Sequence, residues 1–270
     1  MGLLRQEGVK FYTGTKLKRL YQHAGIKWVV FEHEGKEKTL SAESLLVAMG
    51  RRANLQGLNL ENTGVEFSEK ALVLDHRLRT SQKHIFGAGD VTGQYLFTHA
   101  AGYEASVVLA NVVFHLPKKV NYRYVPRVTY TEPELACIGL TEKEAQKEGI
   151  EYTVWKEQFY ENDRALAEEQ PAGLIKMLVD KKGNPLGVQI LGPHAGELLS
   201  EWVVVFNGKV KLTSVASAVH PYPTLSEINK KVAGGLLSTK LFSERVRKTL
   251  RFFFHFKGRA CSVDQDTKKM

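Results

Sequence analysis

Val125-Pro126-Arg127-Val128-Thr129-Tyr130-Thr131-Glu132-Pro133-Glu134-Leu135-Ala136-Cys137-Ile138-Gly139-Leu140-Thr141-Glu142-Lys143-Glu144 is the stretch that decides the fold. Residues 124–130 and 134–138 alternate with the two-residue period of strands, and Glu132-Pro133 interrupts them, which predicts an antiparallel pair. Thr141-Glu142-Lys143-Glu144 has the T-x-x-E spacing in which a hydroxyl and a carboxylate satisfy free N–H groups at a helix start. That helix is expected to stop at Gly149, because glycine readily takes the left-handed conformation that closes helices. Toward the C-terminus, residues 152–160, 173–179 and 186–191 predict three further strands, the last two flanking a hairpin turn at 180–184. Residues 196–206, 213–218 and 227–237 predict helices. The result is an α+β domain, an antiparallel sheet with helices, of about 125 residues, an ordinary domain size.

Before the last of these helices stands His220-Pro221-Tyr222-Pro223-Thr224-Leu225-Ser226-Glu227. Each proline fixes its own φ and restricts the residue before it, so the backbone around Tyr222 is stiff. Thr224 and Glu227 repeat the T-x-x-E spacing and read as a capping box. An imidazole and a phenol are thereby expected at a helix N-terminus, where anions and polarised groups are favoured. Taken alone, the motif is either a well-built helix start or a site whose candidate catalytic residues are His220, Tyr222 and Glu227.

Upstream of residue 120 the pattern differs. Val9-Lys10-Phe11-Tyr12 alternates like a strand. Residues 27–33 are a strongly β-forming run, and residues 38–41 are placed to pair with it across Glu34-Gly35-Lys36. Ser44-Leu45-Leu46-Val47-Ala48-Met49-Gly50 reads as an apolar strand of the kind buried on both faces of a parallel sheet. Parallel strands need crossover helices, and none lies upstream, so the chain is expected to start inside a larger fold. Gly50-Arg51-Arg52-Ala53-Asn54-Leu55 turns out of that strand. Ala71-Leu72-Val73-Leu74-Asp75 predicts another strand, and Ile85-Phe86-Gly87-Ala88-Gly89-Asp90-Val91 a short one ending in a glycine turn. Such a turn lets a ligand approach the backbone, and its carboxylate can accept hydrogen bonds from a polyol. Gly87, Gly89 and Gly93 miss the G-x-G-x-x-G fingerprint by one residue, so no phosphate loop is implied. Thr98 is expected to cap a helix reaching about His115, with Ala105, Val108, Leu109, Val112 and Val113 as its apolar face. The N–H groups of Ala100 and Ala101 would then be open to an electron-rich ring oxygen.

The composition, 43% hydrophobic and 25% charged over 270 residues, is that of a soluble globular chain. No apolar run approaches the ~18–20 residues of a membrane span, and the N-terminus lacks a signal-peptide core. Two cysteines, Cys137 and Cys261, cannot make a disulfide framework, so a reducing, cytoplasmic setting is expected. Neither has a neighbour at metal-binding spacing, and no metal site is expected. The net charge of +9 is uneven: residues 240–270 hold nine Lys/Arg against three Asp/Glu. The body has no basic stripe interleaved with aromatics, which argues against nucleic-acid binding. The basic tail reads as a helix with Leu241, Phe242, Val246, Leu250 and Phe253 or Phe254 near one face. Arg245, Arg247, Lys248 and Arg251 fall opposite. Docking on the body is the ordinary expectation, and contact with an anionic membrane surface the sharper one.

Several motifs in order resemble the C-terminal portion of the pyridine nucleotide-disulfide oxidoreductases. These are FAD enzymes such as dihydrolipoamide dehydrogenase, glutathione reductase and mercuric reductase. Ala48-Met49-Gly50-Arg51-Arg52-Ala53-Asn54 is similar to the A-x-G-R-x-x-N exit from the family's nicotinamide domain. Thr80-Ser81 with Ile85 through Val91 resembles its second FAD motif, whose aspartate holds the ribityl chain. Residues 98–105 resemble the helix whose start faces the isoalloxazine. Val125-Pro126 through Thr131, Pro133-Glu134 and Gly139-Leu140-Thr141-Glu142 resemble the opening of the dimerisation domain. The resemblance implies four parts: residues 1–52, a remnant of the NAD(P)-binding domain; 53–119, the C-terminal part of the FAD-binding domain; 120–242, the α+β dimerisation domain; and 243–270, the basic tail. The first two parts are then partial α/β, Rossmann-like segments. It further implies FAD contacts at Gly89, Asp90, Thr98, His99 and Ala100, NAD(P)H as electron donor, and a homodimer through residues 120–242.

Two departures from the family qualify this. Both G-x-G-x-x-G pyrophosphate loops and the C-x-x-x-x-C redox pair are missing. The expectation is therefore a truncated form, a split gene or a proteolytic fragment, inactive alone and weak or lacking in FAD binding. Second, the disulfide-reducing members read H-x-H-P-T-x-x-E, where the second His, paired with the Glu, is the acid/base supplied by the partner subunit. Here that position is Tyr222, as in mercuric reductases, and a phenol of pKa about 10 is a poor proton shuttle near neutrality. A metal ion, quinone or other acceptor is expected rather than an ordinary disulfide. His220 matches the first, less important His, and Glu227 the orienting carboxylate. Two readings stay open beside this: a module for dimerisation or interaction without chemistry, and a disulfide reductase using His220 as base. Mercuric reductases end in a vicinal cysteine pair; the lone Cys261 is expected to be incidental.

Overall fold

Two-residue turns organise the first part of the chain. In the computed structural model, which describes residues 1–241 and 243–254, Ala24-Gly25 and Glu34-Gly35 take positive φ of 48° and 81°, and 53° and 73°. Positive φ at both positions is the type I′ conformation that matches strand twist. After a short helix α1 (Gly2–Gln6), these turns join β1 (Lys16–His23), β2 (Ile26–His33) and β3 (Lys36–Ala42) into an antiparallel meander. The expected pairing of residues 27–33 with 38–41 is present, Val30 lying opposite Thr39. Strand β1 was not anticipated, and Val9-Lys10-Phe11-Tyr12 is not a strand.

Other upstream expectations are corrected. Residues 44–50 form no strand: Leu46, Val47 and Met49 are 89%, 63% and 78% exposed. An all-apolar strand holds only with paired edges and covered faces, and no described strand lies against this one. The segments at 71–75 and 85–91 reduce to isolated bridges, Phe67 with Leu72 and Arg79 with Phe86. Helix α2 (Thr98–Val112) forms, but its buried side carries Ala100, Glu104 and Val107, while Leu109, Val112 and Val113 are exposed. The aliphatics of α2 do not mark its inner side, because the helix turns the Glu104 carboxylate inward.

The chain divides into two units, Met1–Asp75 with Arg79–Ala105, and His76–Leu78 with the residues from Ser106 onward. The second contains a five-stranded antiparallel sheet of order β4-β5-β8-β7-β6. Its strands are β4 (Arg127–Thr129), β5 (Glu134–Gly139), β6 (Thr153–Gln158), β7 (Leu174–Val179) and β8 (Pro185–Gly192). Alternation places Ala136, Ile138, Ile175, Met177, Val188 and Ile190 on one face, all fully buried. Against them pack α5 (Ala195–Gly208) and α7 (Glu227–Leu241), through Leu199, Trp202, Ile228 and Val232, and α6 (Leu212–Ser217) packs on α7 with Leu212 and Val215 buried. Each such side chain contributes roughly 1.5–3 kcal/mol on burial.

The connections follow the sequence closely. Thr141 and Glu144 make the predicted capping box at the start of α3 (Glu142–Lys147), and Gly149 takes φ +66° after its end. Asp180 and Asn184 close the hairpin between β7 and β8. Gly187 is required by close approach: a Cβ there would run into the Leu140 carbonyl. A short helix, α4 (Asp163–Ala167), was not foreseen; Asn162 caps it by accepting from the Ala165 N–H at 3.0 Å. Helix α8 (Glu244–Phe254) ends the described chain. Val246 is half-buried, while Leu250, Phe252, Phe253 and Phe254 are 42–75% exposed. Phe242 and Cys261 lie outside the described residues.

Candidate functional site

The predicted site residues fall in two places, one in each unit. In the first unit, Gly89 and Asp90 begin a 3-10 turn (Gly89–Thr92). Gly89 takes φ +82°, and a Cβ there would meet the Ala101 methyl at 3.4 Å. Its N–H donates to Glu104 Oε2 at 2.6 Å, and the Thr92 hydroxyl reaches Glu104 Oε1 at 3.4 Å. A fully buried carboxylate on α2 therefore fastens the glycine turn to the helix. Asp90 faces outward and is paired with Arg51 at 3.0 Å. Arg51 is fixed in turn by donating to the Leu96 carbonyl at 2.6 Å.

The start of α2 departs by one residue from the expectation. The first helical hydrogen bond runs from the Ala101 N–H to the Phe97 carbonyl at 3.0 Å, so Phe97, not Thr98, occupies the capping position. The Ala101 N–H is thereby used, and the first-turn donors are those of Thr98, His99 and Ala100. Thr98 and His99 are exposed, and the His99 ring stacks on Phe97 at 5.1 Å. The Ala100 side chain is buried, so only its backbone can face a ligand. A half-buried, Arg51-paired carboxylate near a helix start whose first-turn N–H groups point out of the helix suits a polyol joined to an electron-rich ring. The residues present thus fit the flavin side of FAD, with Gly89 supplying shape rather than a donor.

The second place is the loop of residues 220–227. Tyr222-Pro223 is a cis peptide, as is Glu132-Pro133. Tyr222 is 69% exposed, yet its hydroxyl is not loose: it donates to Asp163 Oδ2 at 2.7 Å. That hydrogen bond, with the Asp163 charge and a smaller contribution from Glu227, pushes the phenol above its ordinary value. His220 is held on both sides. Its Nε2 lies 3.1 Å from Glu201 Oε1, and its Nδ1 lies 3.3 Å from the Ala218 carbonyl. Both partners are acceptors, and which ring nitrogen donates depends on the tautomer.

Behind His220 runs a buried chain. Asn229 Nδ2 donates to Glu201 Oε2 at 2.8 Å and to the Leu198 carbonyl at 3.0 Å. Asn229 Oδ1 accepts from the Trp202 indole at 2.8 Å. On the other side, Asn162 Nδ2 donates to the Thr224 carbonyl at 3.1 Å. The capping box expected from Thr224 and Glu227 is not what organises the loop. The Thr224 hydroxyl donates to the Pro221 carbonyl at 2.7 Å and shares a hydrogen with Ser226 at 2.8 Å, and α7 begins only at Glu227.

The structure thus brings His220, Tyr222 and Glu227 into one loop, and Gly89, Asp90, Thr98, His99 and Ala100 around one turn. Sequence reasoning missed Asp163, Asn162, Glu201, Asn229 and Glu104. Asn162-Asp163 carried a legible signal, a capping residue followed by an acid. Glu201 and Glu104 carried none, since each is one charged residue within an otherwise helical pattern. Cys137 lies on β5, half-buried, and burial pushes its thiol up. Among the described residues no cluster of three metal-ligating side chains occurs.

Residues 1–105 match the pyridine nucleotide-disulphide oxidoreductase family, and residues 125–233 match the dimerisation domain of the same family. The chain is 33% identical over 240 residues to dihydrolipoyl dehydrogenase of Geobacillus stearothermophilus, covering 88% of this chain and 51% of that protein. It is 34% identical over 228 residues to the mitochondrial dihydrolipoyl dehydrogenase of Caenorhabditis elegans, covering 83% and 46%. Among solved structures, the Cu(II) complex of the HOCl-induced flavoprotein disulfide reductase RclA from Escherichia coli superposes with a TM-score of 0.79 at 25% identity, over 87% of this chain and 53% of that one. LpdA from Mycobacterium tuberculosis shares the fold, with a TM-score of 0.80 at 21% identity over 87% and 51%. The chain spans about half the length of these relatives.

Proposed function

Because the chain belongs to the pyridine nucleotide-disulphide oxidoreductases, we propose that it forms part of the flavin site and the interface domain of an FAD-dependent NAD(P)H oxidoreductase. The proposal extends to a cytoplasmic homodimer joined through residues 120–242. When bound, FAD supplies the step between a two-electron donor and the acceptor. The chain's residues do the rest. Asp90 receives polyol hydroxyls, with Arg51 orienting its carboxylate. The backbone donors of Thr98, His99 and Ala100 face the ring, and Glu104 holds the Gly89 turn against that helix start.

The electron acceptor is a metal ion, a quinone or another non-dithiol compound. One observation carries this: the Tyr222 proton is committed to Asp163 at 2.7 Å, which leaves the phenol oxygen as an outward-facing acceptor rather than a proton relay. A metal acceptor is also in keeping with the Cu(II) bound by the Escherichia coli relative. A second reading rests on a different observation, the His220–Glu201 contact at 3.1 Å, which has the form of a base oriented by a carboxylate. Against it, Nδ1 and Nε2 are both engaged, which leaves no free nitrogen in this arrangement.

The test uses the full-length gene product. NADH and NADPH are expected to bleach its flavin, and Tyr222→His to raise dithiol turnover while lowering turnover of the native acceptor. His220→Ala should leave dithiol turnover unchanged. Loss of dithiol turnover in His220→Ala would instead establish His220 as the base, and an unbleached flavin would remove the oxidoreductase reading altogether.

A further inference from the structure

We propose that helix α8 is a surface anchor that lies flat on an anionic lipid bilayer. Its sequence, Glu244-Arg245-Val246-Arg247-Lys248-Thr249-Leu250-Arg251-Phe252-Phe253-Phe254, divides when wound at 100° per residue. Val246, Leu250, Phe253 and Phe254 fall within about 100° of arc, and Arg247, Lys248 and Arg251 occupy the neighbouring side. Val246 on this side is half-buried, but Leu250 is 42% exposed and Phe253 69%, although the core of the same unit buries Trp202 and Phe159 completely. Large apolar side chains held in solvent on one helix side are a costly arrangement unless another phase takes them up.

Three features select a lipid surface as that phase. The helix has eleven residues, about 16 Å, far short of a span, and no described helix is long and apolar enough to cross a membrane. Its cations complement anionic headgroups, and of the chain's net charge of +9 residues 240–270 contribute nine Lys/Arg against three Asp/Glu. A cavity of about 490 Å³ beside α5 and α6 does not fit it, because Lys182, Lys209 and Lys211 line it and would repel a basic helix. A helix with Val246, Leu250, Phe253 and Phe254 on one side and Arg247, Lys248 and Arg251 beside them has the composition of interfacial anchors, with Phe253 and Phe254 entering the acyl boundary while Phe252 falls on the polar side.

The experiment is co-sedimentation of the whole chain with vesicles of phosphatidylcholine alone and with added phosphatidylglycerol. Binding is expected only to the anionic vesicles, reversed by high salt. Each Arg or Lys changed to Glu should weaken it by at least about fivefold, from about 1 kcal/mol per charge at such a surface. Leu250→Ser with Phe253→Ser should abolish it, while thermal unfolding of the chain is unchanged because neither side chain belongs to the core. Equal binding to neutral vesicles, binding that survives Arg247→Glu/Lys248→Glu/Arg251→Glu, or no binding at all overturns the proposal. So does a serine variant that changes sedimentation mass and not vesicle binding, which would assign the helix to a second copy of the chain. None of these readouts involves flavin, so the outcome is independent of the oxidoreductase reading.

Discussion

The spacing T-x-x-E occurs at Thr141–Glu144 and again at Thr224–Glu227, and the two regions use it differently. At the first, the Glu144 N–H donates to the Thr141 hydroxyl oxygen at 3.3 Å, and Glu144 Oε2 accepts the Thr141 N–H at 2.8 Å. The two side chains satisfy each other's backbone N–H groups, and Glu144 reaches further to Arg127 at 3.7 Å. At the second, the threonine hydroxyl turns back to the Pro221 carbonyl, its carbonyl is held by Asn162, and Ser226 stands immediately before the helix. Pro221 supplies an acceptor within reach, and Ser226 is better placed to precede Glu227, so the box loses to both. Glu227 is thereby not committed to a cap, and its charge makes the smallest contribution to raising the Tyr222 phenol, after the Asp163 hydrogen bond and charge. A capping motif that fails to cap marks a loop whose polar groups are arranged for something other than helix stability.

The largest way to break this contrast is Asn162→Ala. Asn162 is 1% exposed, caps α4 and ties the Thr224 carbonyl. Removing it leaves a buried N–H and a carbonyl without their partner, a loss of about 2–3 kcal/mol. Urea unfolding of the chain measures it. A loss no greater than about 0.5 kcal/mol, the scatter of ordinary surface changes, would mean that the loop is not fastened from α4.

The next comparison sets Thr141→Ala against Thr224→Ala. The first should cost about 1 kcal/mol, the usual worth of a cap, and the second about half as much, since its bond to the Pro221 carbonyl is exposed and no helix cap is lost. The two also separate in acid. The Thr141 N–H, then its hydroxyl, hold the Glu144 carboxyl below its ordinary value of 4.5. A carboxyl depressed in the folded state stabilises above its unfolded pKa, and that contribution is lost as pH falls through the folded value. The Thr141→Ala deficit should therefore shrink as pH falls below 4.5 and through the depressed Glu144 value, whereas the Thr224→Ala deficit stays level. Equal pH profiles would show that the two motifs do the same work.

How much of this was legible follows from where the information resides. The antiparallel sheet, the Asp180 hairpin, helix α5 and the Thr141 box were readable because period, turn chemistry and capping are local properties of the chain. Residues 44–50 misled because composition specifies that a strand is apolar, not whether a neighbour is present to pair with it. Helix α2 misled for the opposite reason: its inward face includes Glu104, whose burial is explained only by the Gly89 turn fifteen residues earlier. The candidate catalytic residues were legible as a motif. Their supports were not, because Asp163 and Tyr222 are brought together across 59 residues, and Glu201 and Asn229 across 28.

The smallest expected effect is also the most direct probe of the loop. Asp163 accepts the Tyr222 hydroxyl, and that bond, before the Asp163 charge and the smaller contribution of Glu227, raises the phenol above its ordinary value of 10. Asp163→Asn keeps an acceptor oxygen and removes the charge, so Tyr222 should ionise closer to 10. The chain has ten tyrosines, so the phenolate absorbance of each background is read as its difference from the same background carrying Tyr222→Phe. Stability follows the same sign. A phenol raised in the folded state stabilises below its unfolded pKa, and that contribution fades as pH climbs through the folded value. The gap between wild type and Asp163→Asn should therefore be level through neutrality and close only in alkali. A Tyr222 titration that does not move would mean that the hydroxyl is free in solution, and the phenol would then regain the freedom to donate to a substrate that the Asp163 contact otherwise denies it.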